Sequence, residues 1–293
     1  MEVLFLDTQT DPTKAILKLY DWRYAAQLRK DNKIDEWTNE HERTYIGFVH
    51  SGQAKDFLDK IRNDEDFEEP EEGWNMAENE TYLYDICTDM FTAETAVYKK
   101  LHAYQGEQIP YLVAPVALSI ESGNGRSSDH HDDTWIGTLG SDIIPPDVNE
   151  INIQAPETGL LKVKGILIEL IEGFTLSSLH QYVSEKSSWQ SIIDQAIQNV
   201  RLFSDNDILN KDVRASNILV SPKPSGGYRV CTIDFGQCRI REKEESDLEW
   251  GRAKWSEDEE GAVGQVMKKR LAEHGFELKY QRSMRYWEWA EKE

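Results

Sequence analysis

Asp212-Val213-Arg214-Ala215-Ser216-Asn217 runs directly into the apolar Ile218-Leu219-Val220, and about a dozen residues later the chain reads Ile233-Asp234-Phe235-Gly236. The first stretch is a short polar loop that empties into a strand. The residues between Val220 and Ile233 hold Pro222, Pro224, Gly226 and Gly227 ahead of a second apolar run, which predicts a turn and a returning strand. Such a hairpin carries Asp212 and Asn217 to one end of a strand pair and brings Asp234 back beside them. Taken one by one, these residues have plainer readings: Asp212 as a cap, Asn217 as a turn residue and Asp234-Phe235-Gly236 as a strand ending in a glycine turn. The apolar runs flanking both motifs favour the hairpin.

Outward from this hairpin the chain divides by pattern. Short strands are expected at Val3–Leu6 and Ala15–Tyr20, and longer ones at Tyr111–Ile120 and Leu160–Leu170. Tyr45, Phe48, Val49, Phe57, Leu58 and Ile61 fall at helical spacing between Trp37 and Ile61. A further helix is expected from about Tyr82 to Tyr104, with Phe91, Val97, Tyr98 and Leu101 buried. Residues 63–80 are acidic and read as a solvated, mobile stretch, and residues 121–158 as a long loop rich in Gly, Ser, Asp and Pro. Helices are then expected at Leu176–Val183, Ser188–Phe203 and Glu257–His274, with a last one at Tyr280–Trp289. Strands first and helices later, joined by a crossover at Gly173, predict an α+β protein of two lobes, residues 1–170 and 171–293.

The chain has 293 residues and a formal net charge of −21. That balance argues against nucleic acid or an anionic membrane as partner, since both would be repelled. No run approaches the roughly 20 apolar residues that cross a bilayer. Met1–Asp7 lacks the basic start and apolar length of a secretory leader. Cys87, Cys231 and Cys238 are scattered and without ligand spacing, so they read as reduced thiols of a cytoplasmic protein. Asp129-His130-His131-Asp132-Asp133 reads as a solvated acidic loop with metal binding as the alternative. Trp250, Trp255, Trp287 and Trp289 either dock the C-terminal segment or line an aromatic pocket.

With these residues in order, the chain resembles the protein-kinase-like superfamily, in the branch of aminoglycoside and other small-molecule phosphotransferases. It is similar to short fungal kinase-like proteins that open on the Leu17-Lys18-Leu19-Tyr20-Asp21-x-Arg23 pattern. The resemblance implies a reduced N-terminal sheet lobe, a shortened helical C-terminal lobe, and ATP and Mg²⁺ as cofactors. It makes Asp212 the residue that takes the proton of an attacking hydroxyl, and Asn217 and Asp234 the metal ligands. Lys18 becomes the phosphate anchor and Glu94 its ion-pair partner, with Glu80 or Asp89 as alternatives. Arg214 either stabilises the transferred phosphoryl group or neutralises Asp212. Ile168 guards the adenine slot, the Glu169 carbonyl and Ile171 N–H meet the base edge, and Leu219 packs beneath it.

Three departures bear on activity. Asn210-Lys211 stand where the family carries His-Arg or His-Gly. No G-x-G-x-x-G precedes Lys18, and no Ala-Pro-Glu follows Asp234. A peptide substrate is therefore disfavoured. The resemblance leaves three readings: transfer of phosphate to a small hydroxylated molecule, a kinase-like pseudoenzyme that binds without transfer, or a kinase scaffold used for other chemistry in natural-product assembly. A protein partner is left open.

Overall fold

The computed structural model describes residues 2–5, 13–120 and 157–290. The 121–158 loop expectation and the Asp129–Asp133 motif lie essentially outside the described residues. In order along the chain come β1 (Glu2–Phe5), β2 (Thr13–Tyr20), α1 (Ala26–Asp31), α2 (Asn39–His50), α3 (Gln53–Asn63) and α4 (Met76–Lys100). Then follow β3 (Leu112–Ser119), β4 (Lys162–Glu169), β5 (Phe174–Thr175), α5 (Leu179–Tyr182), α6 (Trp189–Asp205) and β6 (Ile208–Asn210). The chain closes with β7 (Ile218–Pro222), β8 (Tyr228–Thr232), β9 (Cys238–Ile240), α7 (Asp247–Glu257) and α8 (Glu259–Glu273). The protein is mixed α and β with small sheets, ordered β1-β2-β4-β3, β5-β7-β8 and β6-β9. Among the described residues no helix is long and apolar enough to cross a membrane.

By backbone contacts the chain forms two compact units that interleave in sequence. One comprises Met1–Ile16, Thr92–Val113 and Ile168–Glu293, the other Leu17–Phe91 and Ala114–Leu167.

The smaller unit is built on aromatic packing. Trp22 is fully buried, with ring centroids 5.3 Å from Tyr45 and 5.1 Å from Tyr84. Both phenols find backbone acceptors, Tyr45 on the Leu160 carbonyl at 2.6 Å and Tyr84 on that of Gly159 at 3.0 Å. The helical period between Trp37 and Ile61 resolves into two helices, because Gly52 takes φ +80° and ends the run. Thr38 caps α2 by accepting the His41 N–H. The acidic stretch is only partly solvated. Its last residues begin α4, and Glu80 is fully buried against Arg29, with Nη1 to Oε1 at 3.0 Å and Nη2 to Oε2 at 2.5 Å. Gly165 has a packing reason: a Cβ there would sit 2.7 Å from the Lys18 carbonyl oxygen.

The larger unit is organised by α6, as its period predicts. Ile192, Ile193, Ala196 and Val200 are buried against Val220 and Val230 of the hairpin and Val263 and Met267 of α8. Each such side chain contributes on the order of 2 kcal/mol by leaving water. Asn199 is buried in the same face and donates to the Val230 carbonyl at 2.8 Å, which ties α6 to β8. A capping box, Ser246 with Glu249, starts α7. The expected helix at Tyr280–Trp289 is not formed; only a 3₁₀ turn at Trp287–Trp289 appears. The segment instead docks by its rings on helix glycines. A Cβ on Gly264 would meet the Tyr280 ring at 2.2 Å, and one on Gly251 the Trp289 ring at 2.3 Å. Trp255 and Trp287 pack edge to face at 5.4 Å, so the tryptophan group holds the C-terminal segment down.

Candidate functional site

Two short ladders frame the site, all of it within the larger unit. The β6–β9 ladder ends at Asn210 opposite Cys238 and is extended by Lys211 N–H to the Gln237 carbonyl at 3.4 Å. The β7–β8 ladder ends at Ile218 opposite Thr232 and is extended by Ile233 N–H to the Asn217 carbonyl at 2.9 Å. Residues 211–217 and 233–237 are therefore tied together at both ends and face each other between the ladders. Asp212 lies in one segment and Asp234 in the other, both half-buried.

The first segment is held by its own side chains. Asp212 N–H donates to Asn210 Oδ1 at 2.9 Å. Asn217, buried after a 3₁₀ turn at Ala215–Asn217, turns Nδ2 to Asp212, at 3.1 Å from its carbonyl and 2.8 Å from Oδ2. Arg214 Nη2 lies 3.0 Å from the same Oδ2. The second segment carries backbone strain. Asp234 has φ +67°, a left-handed conformation that costs a non-glycine residue about 1–2 kcal/mol. Its successor supplies the anchor: Phe235 is fully buried, with centroids 5.4 Å from Tyr98 of α4 and 5.7 Å from Phe203 of α6.

Acidic groups converge around this anchor. Glu94 is fully buried on α4. Burial pushes the Tyr98 hydroxyl well above its usual value, and the charges of Glu94, Glu169 and Asp234 push it the same way. Burial likewise raises the Cys238 thiol, with Glu259, Glu94 and Asp234 adding to the effect. Glu94 and Asp234 thus act on the same two buried groups.

Of the residues anticipated for an adenine slot, Ile168 is buried at the end of β4 while Ile171 and Leu219 are half-buried. Leu219 pairs with both Thr175 and Cys231. Gly173 is required by close approach, since a Cβ there would sit 2.3 Å from the Val220 carbonyl oxygen. Glu169 is held through its side chain. Its carboxylate takes a two-pronged bond from Arg229 at 2.6 and 3.1 Å and accepts the Tyr111 N–H at 3.0 Å, while its own N–H donates to the Tyr111 carbonyl. Lys18 belongs to the smaller unit, half-buried on β2 with Nζ 5.2 Å from the Tyr20 ring centroid. Of the alternatives to Glu94, Glu80 is committed to Arg29, and Asp89 lies 3.5 Å from Arg62.

Sequence reading missed Arg229, Asn210 as a loop support, and the buried pair Lys254–Glu259 behind it. Hydrophobic flanks at Val230 and Leu209 hinted at burial there, but nothing local pairs the charges. Among the described residues no three His, Cys, Asp or Glu side chains gather as a metal site. The donor set anticipated for magnesium is instead an amide and a carboxylate, Asn217 and Asp234. With Nδ2 turned to Asp212, Asn217 would offer Oδ1, and two hard oxygen donors would suit a cation that keeps several waters. A cavity of about 270 Å³ lies elsewhere in the larger unit, lined among others by Gln195, Asn199, Lys223 and Arg229, and none of the anticipated site residues lines it. No protein-family model matches the chain, and the search of curated proteins finds no match either.

Proposed function

We propose that the chain is an ATP- and magnesium-dependent phosphotransferase of protein-kinase-like fold that acts on a small hydroxylated molecule. The observation that carries this reading is the pair of facing segments, which presents Asp212, Asn217 and Asp234 together from two ladders tied at both ends. Asp212 orients the acceptor hydroxyl and takes its proton. Asn217 and Asp234 would hold magnesium, which when bound neutralises nucleotide phosphate charge. Arg214 rests on the Asp212 carboxylate, and its charge would stabilise a transferred phosphoryl group there. Ile168, Ile171 and Leu219 supply apolar surface for a purine, with Glu169 fixed by Arg229.

A second reading, binding without transfer, is favoured by one arrangement: Asp212 Oδ2 already accepts from Asn217 and is ion-paired with Arg214. Use of the scaffold for other chemistry has no such contact behind it. The two leading readings separate on ADP release from Mg·ATP, measured for the wild type and Asp212→Asn. Phosphotransfer predicts a kcat lower by about 10²–10⁴-fold in the variant with ATP affinity retained. Equal turnover in both proteins would sink the assignment of Asp212, and binding without turnover in the wild type would favour the second reading.

A further inference from the structure

One buried ion pair grips both ends of the strand that feeds the Asp212 loop. Lys254 of α7 and Glu259 of α8 are both almost fully buried and bonded through Nζ and Oε2. Lys254 also donates to the carbonyl of Ile208, where β6 begins, at 2.9 Å. The other oxygen of Glu259 accepts the N–H of Asn210, where β6 ends, at 2.8 Å. Asn210 then passes the restraint on, its Oδ1 accepting the Asp212 N–H. Between them Asp258 takes φ +43°, so the α7–α8 corner itself is held in a strained conformation.

Such a pair contributes little net stability. Burial pushes Lys254 down and Glu259 up, each partner pulling the other back. Replacing a buried pair with apolar side chains is often neutral or stabilising. Its cost is better explained by what it fixes than by the energy it adds. Among the described residues this three-residue strand pairs with β9, and the ion pair adds a restraint at each of its ends.

We propose that Lys254, Glu259 and Asn210 are positioning residues that set the Asp212 loop for reaction, a role that rests on the phosphotransfer reading for its kinetic consequence only. The test compares two double variants, both without the ion pair. Lys254→Met with Glu259→Gln keeps an acceptor for the Asn210 N–H. Lys254→Met with Glu259→Leu does not. In the leucine variant the amides of Asn210 and Asp212 are expected to exchange with solvent at least about tenfold faster than in the glutamine variant, at matched urea midpoints. Its kcat with Mg·ATP is expected to fall about 10²-fold while KM for ATP stays within about twofold, as for a misplacement near 1 Å. The glutamine variant stays near the wild type in both readouts. Equal amide exchange in the two variants overturns the proposal. Should the leucine variant not fold, Asn210→Ala decides: protection is lost at Asp212 and kept at residue 210, and unchanged protection at Asp212 overturns it. Absence of turnover in the wild type refutes phosphotransfer alone, because amide exchange still reports on the loop.

Discussion

Arg29→Met is expected to be among the most damaging single changes in the smaller unit. Arg29 makes five donor contacts there: Nε to the carbonyls of Trp22 at 3.1 Å and Arg23 at 3.2 Å, Nη1 to the Asp35 carbonyl at 2.8 Å and to Glu80, and Nη2 to Glu80. Removing it leaves the Glu80 carboxylate fully buried without its cation and strips three carbonyls of a donor. Breaking a buried pair from one side costs about 3–5 kcal/mol. Native domains have only about 5–15 kcal/mol in all. The urea midpoint, followed by tryptophan fluorescence, should therefore fall steeply. Arg29→Lys should recover little, because an ammonium cannot reproduce the planar fork. The double change Arg29→Met with Glu80→Leu should restore most of the loss, since no charge is then stranded. A loss below about 1 kcal/mol for Arg29→Met would refute the premise that the pair is desolvated.

Two further outcomes are expected. Burial pushes the thiols of Cys87 and Cys231 from an ordinary value near 9.0 up to about 12, so at pH 8 both should resist a disulfide reagent until denaturant is added. The same shift favours the protonated thiol in the fold, so its stabilisation is complete below pH 9 and is lost as pH rises towards 12. Each thiol then contributes a slope of about 1.4 kcal/mol per pH unit. Rapid labelling of the folded protein would contradict this. Gly173→Ala forces a Cβ against the Val220 carbonyl and should cost about 1–3 kcal/mol in urea while weakening Mg·ATP binding. An unchanged midpoint would show that the crossover is loose there.

What the sequence made legible was local and periodic. The β7–β8 hairpin could be read because apolar runs bracket a Pro- and Gly-containing turn, and α6 because Ile192, Ala196, Val200 and Phe203 repeat on one face. The position of Asp234 beside Asn217 followed from that hairpin. The break between α2 and α3 was hidden, since Gly47 and Gly52 both interrupt the pattern and periodicity alone does not select Gly52. The C-terminal aromatics read as a helix because burial by docking on Gly251 and Gly264 depends on partners far away in sequence. Charge pairing was least legible. Arg29–Glu80 and Lys254–Glu259 join charges that hydropathy treats as solvent-facing, and only the folded chain removes them from water, while Arg229–Glu169 stays half-buried.

A metal-ligand role of Asp234 toward bound nucleotide is tested most directly by thermal unfolding with ATP, in the presence and absence of Mg²⁺, for the wild type and Asp234→Asn. The wild type is expected to be stabilised by ATP with Mg²⁺ by about 2.7 kcal/mol at a hundredfold excess over Kd. The magnesium-dependent part of that gain should disappear in Asp234→Asn. A wild type indifferent to millimolar ATP under both conditions, or a variant stabilised as fully as the wild type, would contradict it.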